Sequence, residues 1–188
     1  MREYSAKNDR EPSEIRSDAS ENRKAIILAA RKLLSEVNPD ASLTEIAKIA
    51  GISRATLYRN FADKASIILA VFHYNLDILE AYSKKIAGQE NRFVKLMEVV
   101  IEQQAKYQNL ATRITAVEDT ITQRVEAIFA EPVAEAKALG TLRQDFVLEK
   151  DLMLLLMMIG GSLLLQDGED KNARIKRALT FVLEGIKR

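Results

Sequence analysis

The chain has 188 residues with no cysteine and one histidine, which excludes disulfides and thiolate metal sites and leaves any zinc site leaning on carboxylates. Its 28 bases and 27 acids give a net charge of +1, so total charge says nothing about partners. The distribution is more informative: residues 22–64 hold eight bases and four acids, whereas residues 65–188 hold 16 bases and 17 acids, a front end modestly suited to a polyanion.

The N-terminus is mixed in charge with no apolar run, unlike a secretory signal. The longest uncharged apolar stretch, Leu152 to Leu165, falls short of the roughly 20 residues that span a bilayer. A cytoplasmic protein is expected. Only three prolines and seven glycines occur, and a 3.6-residue apolar spacing recurs from residue 24 to the end, so the fold class is all-α with about nine helices. Residues 1–18 are polar without periodicity and read as a flexible N-terminal tail.

The first helix is expected to start near Asp18 or Ser20 and run to about Val37, with Ile26, Ala29, Ala30, Leu33, Leu34 and Val37 as its buried stripe. Asn38-Pro39-Asp40 breaks it. Ser42 then offers an N-cap with Glu45 three residues on, the capping-box spacing. A short second helix with Ile46, Ala47, Ile49 and Ala50 leads to Gly51, and a third runs from about Ser53 to Phe61. Two short helices joined through a glycine describe a helix-turn-helix. Ile46, Ile49, Ile52, Leu57 and Phe61 are expected to pack on the first helix. Arg54, Ala55, Thr56, Tyr58, Arg59 and Asn60 fill the other face of the third, a short, basic and hydrogen-bonding set suited to a major groove. Asp63 can cap a fourth helix reaching about Ala87, and later helices are expected over 91–109, 112–117, 119–138, 149–166 and 171–187.

Residues 42–64, SLTEIAKIAGISRATLYRNFADK, resemble the DNA-binding domain of the tetracycline-repressor (TetR) family. Ser42, Ile46-Ala47, Ala50-Gly51-Ile52-Ser53, Thr56-Leu57-Tyr58, Phe61 and Lys64 stand in register with that family's pattern, and Asn60 departs from its more usual histidine or tyrosine. The match is strong over about residues 22–70; beyond that only helical layout and length agree. The resemblance implies that Ser42, Thr56, Tyr58, Asn60 and Lys64 hold backbone phosphates. It also implies that Thr44, Arg54 and Ala55 read base edges, with Arg59 at either. It further implies a homodimer on double-stranded DNA, through a four-helix bundle of the last two helices of each subunit.

The last two helices have stripes to fit. Met153, Leu156, Met157, Gly160, Gly161 and Leu164 form one, and Ile175, Ala178, Leu179, Val182, Leu183 and Ile186 the other. The interface is assigned to Met153, Met157, Gly160, Gly161, Leu164, Leu179, Val182 and Ile186. The helices between are implied to enclose a small-molecule effector, with Phe72, His73, Tyr74, Met97, Ile101, Gln104, Tyr107 and Phe129 as candidate lining; core packing is the plainer reading of each. No cofactor and no metal is expected. The domain boundaries drawn are 1–18, 19–64 (DNA binding) and 65–188 (regulation and dimerisation).

No GxSxG, Walker-A loop, HExxH or dinucleotide fingerprint occurs, so an enzyme is not expected. A ligand-responsive repressor on a palindromic operator is the expected function. An activator of the same fold remains open, as does a helical interaction module without DNA binding.

Overall fold

The computed structural model describes residues 12–34, 38, 40–111, 119–162 and 171–186. Among them it has eight helices and no strand: α1 (Pro12–Lys32), α2 (Leu43–Ala50), α3 (Arg54–Asn60), α4 (Lys64–Lys85), α5 (Arg92–Ala111), α6 (Asp119–Ala138), α7 (Leu148–Ser162) and α8 (Lys171–Ile186). The helix expected over 112–117 lies outside the described residues. The chain divides into two compact units, residues 1–71 and 72–188. The division falls after Val71 rather than after Lys64, because Ile67, Ile68 and Val71, in the first turns of α4, are buried members of the first unit.

In the first unit α1 packs on both α2 and α3. Ile26, Ala29, Ala30, Leu33 and Leu34 from α1 are buried, as are Ile46 and Ala47 from α2, Leu57 from α3, and Phe61. Alanines on α1 and α2 let the axes approach closely, while the branched residues fill the space between. Helix α1 begins at Pro12, earlier than the Asp18 or Ser20 expected. Proline is well suited to a helix's first position, and the residues after it contain no breaker. Ile49 corrects another expectation: it is 49% exposed, because α2 buries Ile46 and Ala47 and turns position 49 to solvent.

In the second unit α5 packs on α6, α7 and α8, α6 on α7, and α7 on α8. One core joins Leu76 and Leu79 of α4, and Ile86 just past its end, to Leu96, Met97 and Ile101 of α5, Phe129 of α6, Leu152, Leu156 and Ile159 of α7, and Leu179 of α8. Phe93 meets Phe129 and Phe146 edge to face, at 6.0 and 6.1 Å between ring centroids. Arg92 is buried and answered by three partners: Glu131 at 2.9 Å, Glu135 at 2.8 Å and the Ser83 hydroxyl at 3.2 Å. Those contacts pair its charge through both terminal nitrogens, while its Nε is buried without a hydrogen-bond partner.

Candidate nucleic-acid interface

The site is built from caps. Ser42 has extended backbone (φ −75°, ψ 159°). Its Oγ accepts from the Glu45 N–H at 3.2 Å, while its own N–H donates to the Glu45 carboxylate at 2.7 Å. The reciprocal box satisfies donors that the first turn of α2 would otherwise leave open. The Ser42 N–H, and then the Ser42 hydroxyl, hold the Glu45 carboxyl below its ordinary range. At the other end Gly51 sits at φ 70°, a left-handed conformation that costs a side-chain-bearing residue energy. There the Ile52 N–H returns to the Ala47 carbonyl at 3.1 Å, closing the helix in a tight turn.

Two residues later Ser53 caps α3, its Oγ accepting from the Thr56 N–H at 3.1 Å. The turn between the helices is therefore fixed at both sides. Asp63 does the same for α4: its carboxylate accepts from the Ser66 N–H at 2.7 Å, and this contact lowers its pKa.

On α3, Leu57 and the following Phe61 point inward, and Thr56 and Asn60 are half-buried. Arg54, Ala55, Tyr58 and Arg59 are exposed; these positions fall at i, i+1, i+4 and i+5 and share one outward stripe. It combines two guanidiniums able to fork onto guanine, a methyl sized for thymine and a phenol that can reach a phosphate. Ser42 and Thr44 are exposed at the N-terminal end of α2, and Lys64 is half-buried at the first position of α4.

Two of the residues expected to face outward are engaged within α3. The Asn60 amide donates to the Thr56 carbonyl at 2.9 Å. The Thr56 hydroxyl lies 2.9 Å from that of Ser53 and accepts from Arg59 at 3.1 Å. Their polar groups brace the helix and one of its arginines. Sequence reading also missed Arg23 of α1, which donates to the Asn60 carbonyl at 3.1 Å and lies over the Phe61 ring. The two residues are 37 positions apart, and no local signal joins them.

In the second unit, the expected effector-lining residues are placed mainly in the core. Met97, Ile101 and Phe129 are fully buried there, and Tyr107 is buried at a kink in α5 (φ −109°, ψ 17°). Gln104 donates to the Leu156 carbonyl at 3.2 Å. Phe72, His73 and Tyr74 are half-buried. Arg124 of α6 donates to His73 Nδ1 at 3.3 Å and to Asp77 at 2.7 Å; a guanidinium cannot accept, so this contact requires His73 with a bare Nδ1. A cleft lined by Arg92, Pro132, Glu135, Leu139, Leu142 and neighbouring residues contains none of these candidates.

The stripe expected on α7 is split by the structure. Leu152, Leu155, Leu156 and Ile159 face the core, whereas Leu154, Met157 and Met158 are 56%, 68% and 60% exposed. Met153 and Gly160 sit at the border and Gly161 is exposed. Leu179, expected to face a partner, lies in the chain's own core, with Val182 and Ile186 packed against it; Phe181 of α8 is exposed. Leu164 lies outside the described residues. Among the described residues no helix is long and apolar enough to cross a membrane, and no cluster of His, Asp or Glu is arranged to hold a metal.

Comparison with known proteins adds the context. The family described as bacterial regulatory proteins, tetR family, matches residues 26–71. An HTH-type transcriptional regulator of Staphylococcus aureus (strain USA300) is 36% identical over 89 residues, covering 47% of this chain and 48% of the relative. The chain thus matches about half the length of that relative. Among solved structures, a TetR transcriptional regulator from Streptomyces coelicolor superposes with a TM-score of 0.67 at 24% identity, covering 88% of this chain and 98% of that one. The TetR-family repressor FadR of Thermus thermophilus, solved with lauroyl-CoA, superposes at 0.57 with 23% identity, over 87% and 94% of the two chains.

Proposed function

The chain belongs to the TetR family of bacterial regulatory proteins, and on that premise we propose that it is a cytoplasmic, sequence-specific DNA-binding regulator that represses transcription as a homodimer. The observation that carries this reading is the outward stripe of Arg54, Ala55, Tyr58 and Arg59 on a helix whose approach is fixed by two capping serines and Gly51. In this reading α3 lies in the major groove. Arg54, Ala55 and Thr44 read base edges; Ser42, Tyr58 and Lys64 hold phosphates; and Arg59, aligned by Thr56, serves at either.

Dimerisation is supported by the apolar face that α7 leaves uncovered at Leu154, Met157 and Met158. A second copy of the helix would remove that face from water, and two recognition helices would then meet two half-sites of a palindrome. The effector is a mostly apolar small molecule bound in the second unit. It acts through α4, whose Lys64–Lys85 span begins in the first unit and ends in the second. It works by binding the DNA-incompetent conformation more tightly, with a coupling of about 1–3 kcal/mol. The protein acts by binding alone, without catalysis.

Selection from a randomised duplex library, with the protein's mass measured by sedimentation, tests the proposal. A palindromic site recovered by a dimer, and not by Tyr58→Ala, is the expected result. Uniform, salt-sensitive binding with no enriched site, by ligand-stripped protein, contradicts it.

A further inference from the structure

We propose that Arg23 is a positioning residue for the recognition helix, holding the C-terminal end of α3 from α1 so that the outward stripe is presented in one orientation. The inference rests on the DNA-reading role of α3 and adds a residue that touches no base in it.

Helix α3 has seven residues, too few to be stable by itself, so its geometry is imposed by what it packs on. Leu57 and Phe61 anchor its inner side. Its last carbonyls have no partner within the helix and carry the negative end of its dipole. Arg23 supplies what that end lacks. Its Nη1 donates to the Asn60 carbonyl at 3.1 Å. Its guanidinium carbon lies 4.2 Å from the centroid of the Phe61 ring.

Two contacts on consecutive residues, one in the guanidinium plane and one across its face, fix both the axial position and the rotation of the helix end. Arginine can make both at once because its donors lie in the plane that stacks; a lysine ammonium can donate to the carbonyl but has no face to lay on the ring. The restraint continues inward, since Asn60 donates to the Thr56 carbonyl and the Thr56 hydroxyl accepts from Arg59. A basic residue at the front of a DNA-binding unit has an obvious competing role, a direct phosphate contact, and the two make different predictions.

The test uses the full-length protein as wild type, Arg23→Ala and Arg23→Lys. Each is titrated at several salt concentrations with the duplex recovered from the randomised library and with a scrambled duplex of equal length. Arg23→Ala is expected to weaken the selected duplex about tenfold while leaving the scrambled duplex and the salt slope nearly unchanged, with Arg23→Lys recovering part of the loss. Equal weakening of both duplexes, with a slope smaller by about one, makes Arg23 a phosphate contact and overturns the proposal.

A second readout needs no DNA. The Phe61 N–H, bonded to the Leu57 carbonyl at 2.9 Å, is expected to exchange with solvent faster in Arg23→Ala than in wild type. Unchanged exchange overturns the positioning role even where the wild type selects a duplex. If the wild type selects none, the regulator reading fails, and the exchange measurement still judges Arg23.

Discussion

Ser42 and Glu45 cap one another: the Ser42 hydroxyl accepts from the Glu45 N–H, and the Glu45 carboxylate accepts from the Ser42 N–H at 2.7 Å. The pair sets where α2 begins, and so where Thr44 stands and how α3 is delivered after Gly51. Removing the hydroxyl in Ser42→Ala should cost about 1 kcal/mol of stability, within the usual range for a lost N-cap. Thermal unfolding checks this. Glu45→Gln, which keeps an acceptor at the same position, should lose clearly less.

The same caps make the protein acid-sensitive in a defined direction. Glu45 and Asp63 titrate below their ordinary values of 4.5 and 3.8, each chiefly because a serine N–H donates to the charged form. A depressed carboxylate contributes stability that is present above its unfolded pKa and is lost as pH falls through the folded one. The unfolding temperature should therefore fall as pH drops below 4.5, and the combined Glu45→Gln and Asp63→Asn variant should show a shallower fall. An equal slope in the variant would mean that other carboxylates dominate.

Gly161 separates a lone chain from a dimer. A methyl group added there meets nothing within 4 Å, so Gly161→Ala in a monomer should gain roughly 1 kcal/mol from helix propensity. If a second copy packs on this face, the same methyl group weakens assembly. Sedimentation at graded concentration should show weaker association for Gly161→Ala, and monomers for Met157→Glu, with the helical content of both retained. Unchanged association in both variants would place any dimer contact elsewhere.

Phe129 tests core against pocket. It is fully buried and meets Phe93 edge to face at 6.0 Å. As a core residue, Phe129→Ala should cost about 3–5 kcal/mol in denaturant unfolding. A loss well under about 2 kcal/mol would instead mean that it borders a space able to collapse or to hold an effector.

The first unit was largely legible in the sequence because its determinants are local. Ser42, Glu45 and Gly51 act within a few residues of themselves and do what their spacing implied, and Ser53, read only as the start of α3, caps it just as locally. Ile49 was misplaced because an apolar residue on a short helix satisfies a stripe by type, while only the packed partner decides which side is covered. Arg23 and Asn60 were not legible together, since their contact spans 37 positions and depends on how α1 crosses α3. In the second unit, α7 is apolar on nearly every side. Composition could not say that Leu152, Leu156 and Ile159 face inward while Met157 and Met158 face out. Leu179 went inward for the same reason: α8 was read as one stripe, and the core took it.

The exposed stripe of α3 is proposed to read base edges. The most direct test of that role is the affinity of wild type and Arg54→Ala for the selected duplex and for every single-base change in one half-site. At one position, a guanine, the wild type is expected to discriminate by about 1–3 kcal/mol and Arg54→Ala is not, with the other positions unaffected. A uniform loss across all positions, with a smaller salt slope, would contradict that role and reduce Arg54 to a phosphate contact.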